Sequence, residues 1–143
     1  MGTPIGEISI LADQESILAI RMGFGLENPN ELTRSCHDQL KEYFLGHRQK
    51  FDLPLSFNGT SFQKLVWEEL IRVKFGSTLS YSEIAKNIGR PKAQRAVGAA
   101  NHVNNLPIIV PCHRIVGKNG ALVGYALGLD KKAWLLEHEQ KCQ

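Results

Sequence analysis

Before residue 60 the apolar residues alternate, then recur at helical spacing, then alternate again. Ile8 and Ile10 share one face of a strand, and Leu18, Ile20 and Met22 share one face of another. With a turn in Ala12-Asp13-Gln14-Glu15-Ser16, this predicts a β-hairpin over residues 3–23. Asn28-Pro29-Asn30 reads as a turn and helix cap. Leu32, Cys36, Leu40, Tyr43 and Phe44 then follow a helical stripe that ends at Gly46, which makes Cys36 a core residue. Phe51, Leu53, Leu55 and Phe57 alternate as a strand, and Pro54 confines it to a sheet edge. Hairpin, helix and strand make a small α+β layer with no chemical site of its own.

Asn58-Gly59 is the expected linker. Thr60-Ser61-Phe62-Gln63 is a capping box, followed by a stripe of Phe62, Leu65, Val66, Leu70 and Val73 with Gly76 as terminator. Ser80-Tyr81-Ser82-Glu83 is a second capping box, opening a short helix with Ile84, Ala85 and Ile88 inward and Gly89 at its end. Pro91 suits the first turn of a third helix running toward Val103. Two short helices joined by a glycine-containing turn read as helix-turn-helix. On the second of them Ala93, Ala96, Val97 and Ala100 share the core side, and Arg95, Gly98, Ala99 and His102 the other. That outer face suits close approach to a nucleic-acid groove without base reading, or else a small-residue helix–helix contact.

Ile108-Ile109-Val110 reads as a short buried strand between Pro107 and Pro111, delivering Cys112 at its end. A neighbouring imidazole (His113) and guanidinium (Arg114) would favour its thiolate. The other reading is an inert core cysteine. Gly117-Lys118-Asn119-Gly120 has the composition of a type I′ turn, and Gly124-Tyr125-Ala126-Leu127-Gly128 is a loop between glycines. Asp130 is expected to cap the last helix. On it Glu139 falls on the side of Leu135 and Leu136; turned inward, it needs a partner, for which His113 is the candidate. A solvated Glu139 is the alternative.

Composition narrows the class. The chain has 143 residues, 43% hydrophobic and 22% charged, with net charge +3, values of an ordinary globular protein compatible with a phosphate-facing surface. No run reaches membrane-span length, and residues 1–15 lack the pattern of a signal peptide. Cys36, Cys112 and Cys142 form no C-x-x-C pair and fit a reducing compartment. The histidines at 37, 47, 102, 113 and 138 show no metal pattern, and there is no glycine-rich phosphate loop. No cofactor and no metal are expected.

Pro111-Cys112-His113-Arg114 followed by two β-branched residues resembles the active-site signature of the O6-alkylguanine-DNA alkyltransferases, which repair DNA by direct reversal. Arg95-Ala96-Val97-Gly98, Gly124-Tyr125 and the segment from Lys132 to Glu139 stand at that family's spacing. The resemblance implies an α+β chain. An abbreviated ribonuclease H-like domain over 1–57 precedes a helical, winged helix-turn-helix-like domain over 58–143. It implies Cys112 as alkyl acceptor, His113 and Glu139 as a relay that removes the thiol proton through a water, and Asn104 as hinge. Tyr81 donates toward guanine, Lys132 lies near O6, and Tyr125, Ala126, Val123 and Gly124 form the pocket. Arg95 fills the stack after nucleotide flipping, and Gly98, Ala99 and Arg114 contact DNA. Some relatives carry zinc in the N-terminal part; no ligand set for it stands here. Relatives often have glycine where Leu127 stands, and some a hydroxyl residue where Ala126 stands, which bears on substrate range.

The implied partner is double-stranded DNA carrying O6-alkylguanine, with thymine O4 a second candidate atom. It would be bound in the minor groove with weak sequence preference. No membrane is implied, and a monomer is expected, cytoplasmic and nucleoid-associated if prokaryotic, nuclear if eukaryotic. Two other classes stay open at this point: a non-catalytic winged-helix module with Cys112 structural, and a cysteine hydrolase, which adjacency of Cys112 and His113 disfavours.

Overall fold

The structure is a computed structural model that describes residues 1–25 and 29–143. Asn28, the expected start of the first inter-element turn, lies outside the described residues. The chain is α+β and divides into two compact units, Met1–Asn58 and Gly59–Gln143.

In the first unit β1 (Gly2–Thr3), β2 (Gly6–Ala12) and β3 (Ile17–Met22) form an antiparallel sheet in that order. The hairpin turn is held by Asp13, whose carboxylate accepts from the backbone N–H of Glu15 and Ser16, each at 2.8 Å. The register slips between Leu11 and Ala12, which face Ala19 and Ile17. The slip leaves Leu18 as an extra residue, so Ile17 joins Ile20 on one face. Ile17 and Ile20 are buried, whereas Leu18 and Met22 of the expected stripe are only half-buried.

α1 (Glu31–Phe44) opens on Asn30, whose side chain accepts from Thr33 N at 2.9 Å. Its buried face includes Cys36, Leu40 and Tyr43. The strand expected over 51–57 is reduced to one parallel bridge, Leu55 with Ile17. Pro54 has no N–H to extend a ladder, and Gln39 binds both backbone groups of Asp52, at 2.8 and 2.9 Å.

In the second unit α2 (Ser61–Ile71), α3 (Tyr81–Asn87) and α4 (Gln94–His102) pack together. Both capping boxes are present, Thr60 with Gln63 and Ser80 with Glu83. α2 stops at the cap Arg72, before the expected Gly76, and its buried face is Val66, Trp67 and Leu70, with Leu65 exposed. The Trp67 indole donates to the Ala100 carbonyl at 2.8 Å, tying α2 to α4. Gly89, at φ 77°, ends α3. Pro91 sits in the turn before α4, not in its first turn.

β4 (Leu79–Ser80) pairs in parallel with β5 (Ile115–Val116), setting Tyr81 beside the segment that carries Cys112. Lys118–Ala121 closes a tight turn with Asn119 at φ 61° and Gly120 at φ 78°, both positive as a type I′ turn requires. α5 (Leu129–Lys141) starts from Gly128, and Asp130 makes no cap bond. Among the described residues no helix is long and apolar enough to cross a membrane.

Candidate active site

Cys112 is delivered by a turn, not by the expected strand. Ile108, Ile109 and Val110 are buried, yet Val110 N bonds back to Leu106 O at 2.9 Å and Ile108 takes φ 75°. Asn104 braces this turn, donating to Val110 O and accepting from Leu106 N, both at 2.9 Å. Pro111 (φ −79°, ψ 65°) is the centre of an inverse γ-turn closed by Cys112 N on Val110 O at 2.7 Å. One 3-10 turn, Cys112–Arg114, follows at once. Cys112 is 2% exposed.

Behind it stands a buried acid–base cluster. His113 Nε2 meets Glu139 Oε2 at 2.6 Å, and both side chains are fully buried. Arg114 donates to the same carboxylate from Nε at 2.8 Å and from Nη2 at 3.1 Å. The backbone N–H of Gly76 adds a bond at 3.2 Å, and Arg114 Nη1 donates to Val73 O at 2.6 Å. α5 makes this possible: Lys132, Leu135 and Glu139 share its buried face.

Burial opposes ionisation of Glu139, but the hydrogen bonds and charges of His113 and Arg114 outweigh it and hold the carboxyl well below the usual range. Burial pushes the His113 pKa down against the pull of Glu139, so the imidazole is neutral. An ionised carboxylate can only accept, so the proton of His113 is on Nε2 and the lone pair on Nδ1. Nδ1 is buried with no partner among the described residues. Burial also pushes the Cys112 thiol up to about 11, although Asn104 and Lys132 favour its charged form. The expected thiolate is thus overturned. The guanidinium that was to stabilise it is committed to Glu139, and the imidazole carries no charge. The resting site holds a thiol beside a neutral base.

Lys132, expected near O6, is fully buried and donates to backbone carbonyls: Ile115, Val123 at 2.9 Å and Gly124 at 3.4 Å. It clamps both ends of the 117–124 loop while its charge favours the Cys112 thiolate. The Tyr81 hydroxyl donates to the carbonyls of Val123 at 3.2 Å and Gly124 at 3.4 Å. Burial raises its pKa, and a thiolate at Cys112 would raise it further, so it remains a donor. Tyr125 is buried beside Cys112, while Val123, Gly124 and Ala126 are exposed at the rim.

On α4, Arg95, Ala99 and His102 are exposed as expected for a docking face. Gly98 is half-buried, and a Cβ there would lie 3.8 Å from the Tyr81 ring. Ala96, expected in the core, is exposed; the buried side is Val97, Ala100 and Asn101. Arg114, expected at the DNA, is 5% exposed and spent on Glu139 and Val73. Sequence reasoning missed Asn101, whose Nδ2 donates to Cys112 O at 3.3 Å. An asparagine one turn after Val97 on the buried stripe was the available signal. Among the described residues no cluster of His, Cys, Asp and Glu could hold a metal ion.

Two family models span nearly all of the chain. Residues 1–57 match the ribonuclease-like domain of 6-O-methylguanine DNA methyltransferase, and residues 61–141 match its DNA binding domain. The chain belongs to the 6-O-methylguanine DNA methyltransferase family. A methylated-DNA–protein-cysteine methyltransferase of Methanosarcina acetivorans is 46% identical over 149 residues, covering 98% of this chain and 96% of that one. The constitutive methylated-DNA–protein-cysteine methyltransferase of Bacillus subtilis is 43% identical, covering 96% and 92%. The crystal structure of Mycobacterium tuberculosis OGT in complex with DNA superposes with TM-score 0.90 at 40% identity, covering 99% and 91%.

Proposed function

We propose that this chain repairs DNA by direct reversal, moving an alkyl group from guanine O6 in double-stranded DNA onto Cys112, once per molecule. The observation that carries this reading is the buried Cys112 thiol followed directly in the chain by His113, which buried Glu139 holds in the Nε2–H form. The thiol proton passes through a bridging water to His113 Nδ1 as Sγ attacks the saturated carbon. The S–C bond forms while the C–O6 bond breaks; the purine leaves as the guanine anion and takes up from water one proton, which His113 returns to the solvent. Glu139 stabilises the imidazolium that forms, and Lys132 the sulfur charge in transit. Tyr81 keeps its proton and serves the departing purine by turning from the Val123 and Gly124 carbonyls.

O6 lies inside the duplex, so the nucleotide must leave the stack. Arg95, exposed on α4, suits the role of filling the gap, and the small residues around it suit minor-groove approach with weak sequence preference. The same reading has the protein acting as a monomer in the cytoplasm of a prokaryotic cell.

The product thioether has no leaving group that water displaces readily, so the protein is consumed. Titrating O6-methylguanine duplex against protein should give a plateau at one product per molecule, with the added mass on the Cys112 peptide. A plateau well above one, or mass on another residue, overturns the reading.

A further inference from the structure

Asn101 is a buried polar residue on an apolar stripe. It is 3% exposed and shares the inner side of α4 with Val97 and Ala100. Its Nδ2 donates to Cys112 O at 3.3 Å. A carbonyl oxygen only accepts, so the amide nitrogen is the atom on that side. Oδ1 is left buried with no partner among the described residues. A buried acceptor without a donor costs stability, and an apolar side chain would not carry that cost. Cys112 O would not be orphaned by the exchange, because the Ile115 N–H also donates to it. Stability therefore gives no reason for an asparagine here.

The reaction gives one. Attack on a saturated carbon needs Sγ in line with the bond that breaks, and a side chain's direction follows the backbone that carries it. On its N-terminal side Cys112 is held by the inverse γ-turn at Pro111. On its C-terminal side stands a single 3-10 turn, whose hydrogen bond is intrinsically poor. Asn101 ties that turn to α4. α4 is itself pinned at the preceding residue, where the Trp67 indole donates to Ala100 O at 2.8 Å. Asn101 also acts on Tyr81. Burial raises the tyrosine's pKa, a thiolate at Cys112 would raise it further, and a hydrogen bond from the Asn101 side chain opposes the rise.

We propose that Asn101 is a positioning residue for transfer: it fixes the carbonyl end of Cys112, and through it the line along which Sγ attacks. The inference rests on the transfer reaction proposed above. It gives a part in that reaction to a residue outside the thiol, imidazole and carboxylate.

The test compares wild type with Asn101→Leu in single-turnover transfer, from saturating O6-methylguanine duplex and from free O6-benzylguanine. The plateau of alkylated Cys112 peptide counts the active molecules, and the rate constant reports how well each one reacts. Asn101→Leu should react about tenfold slower with both substrates, at an unchanged plateau and an unchanged half-saturating duplex concentration. Asn101→Ala serves the same comparison if the leucine variant does not fold. A variant that loses plateau or melting temperature but keeps the wild-type rate per active molecule overturns the assignment, since that is all a structural role would give. So does a variant that needs more duplex to saturate and then reacts at the wild-type rate. Both outcomes leave transfer to Cys112 standing; failure of wild type to alkylate Cys112 from either substrate sinks the transfer reading and this inference with it.

Discussion

Arg114 and Glu139 meet as a two-pronged ion pair, Nε on Oε1 at 2.8 Å and Nη2 on Oε2 at 3.1 Å, inside the second unit. Breaking such a pair leaves an uncompensated buried charge. Arg114→Met should therefore lose about 3–5 kcal/mol of stability in urea unfolding. Arg114→Lys keeps the charge but not the fork and should fall between. Affinity of Arg114→Lys for undamaged duplex should match wild type, because the guanidinium is not at the surface. A large loss of affinity in a gel shift would restore Arg114 to the DNA face.

Cys112→Ala should abolish transfer and leave duplex binding nearly unchanged. The thiol is 2% exposed, whereas Arg95, Ala99 and His102 present α4 to solvent. Parallel gel-shift and transfer assays check this. Loss of both together counts against α4 as the docking face.

Arg95→Ala should slow transfer from duplex O6-methylguanine at least about tenfold while sparing the reaction with free O6-benzylguanine. A free base has no stack to refill. Comparable slowing on both substrates would mean that Arg95 acts at the chemical step instead.

Stability should fall in alkali because of Cys112. The folded chain holds the thiol proton up to about pH 11, while an unfolded thiol releases it near pH ~8.5. Between those values the folded state binds more protons, so rising pH favours unfolding, by at most about 1.4 kcal/mol per pH unit. Cys112→Ser lacks this titration, so the gap between the two proteins in urea unfolding should narrow from pH 8 to pH 10 if serine begins less stable. A gap that does not change with pH removes the buried-thiol account. Glu139 acts at the other end: its depressed folded value gives stability that is complete above the unfolded carboxyl range and lost progressively as pH falls from there down through the folded value.

Local signals were the legible ones. Ser80 and Glu83, Thr60 and Gln63, and Asn119-Gly120 each contain their own geometry within four residues, and the structure has all three. The inward turn of Glu139 and its partner His113 were also readable, because an acid on an apolar stripe demands a donor. What failed depends on contacts far apart in the chain. Arg114 looks like a surface cation until the carbonyl of Val73 and the carboxylate of Glu139 enclose it. The three backbone carbonyls that hold the Lys132 ammonium, those of Ile115, Val123 and Gly124, could not be read from its own helix either. The strand expected over Ile108–Val110 failed for a different reason: apolar runs bounded by prolines bury equally well as turns, and periodicity cannot separate the two.

Ile108 carries this last point into evolution. Its backbone sits at φ 75°, where a β-branched residue is an outlier, and its side chain is 1% exposed. The torsion costs on the order of 1–3 kcal/mol, and burying the side chain contributes about as much in the other direction. Glycine would relax the backbone and empty the core in one step; asparagine would tolerate the angle and bury an amide. Either substitution gives up one advantage to gain the other, so lineages selected for heat tolerance should keep an apolar residue at this position while exposed positions such as Leu45 drift.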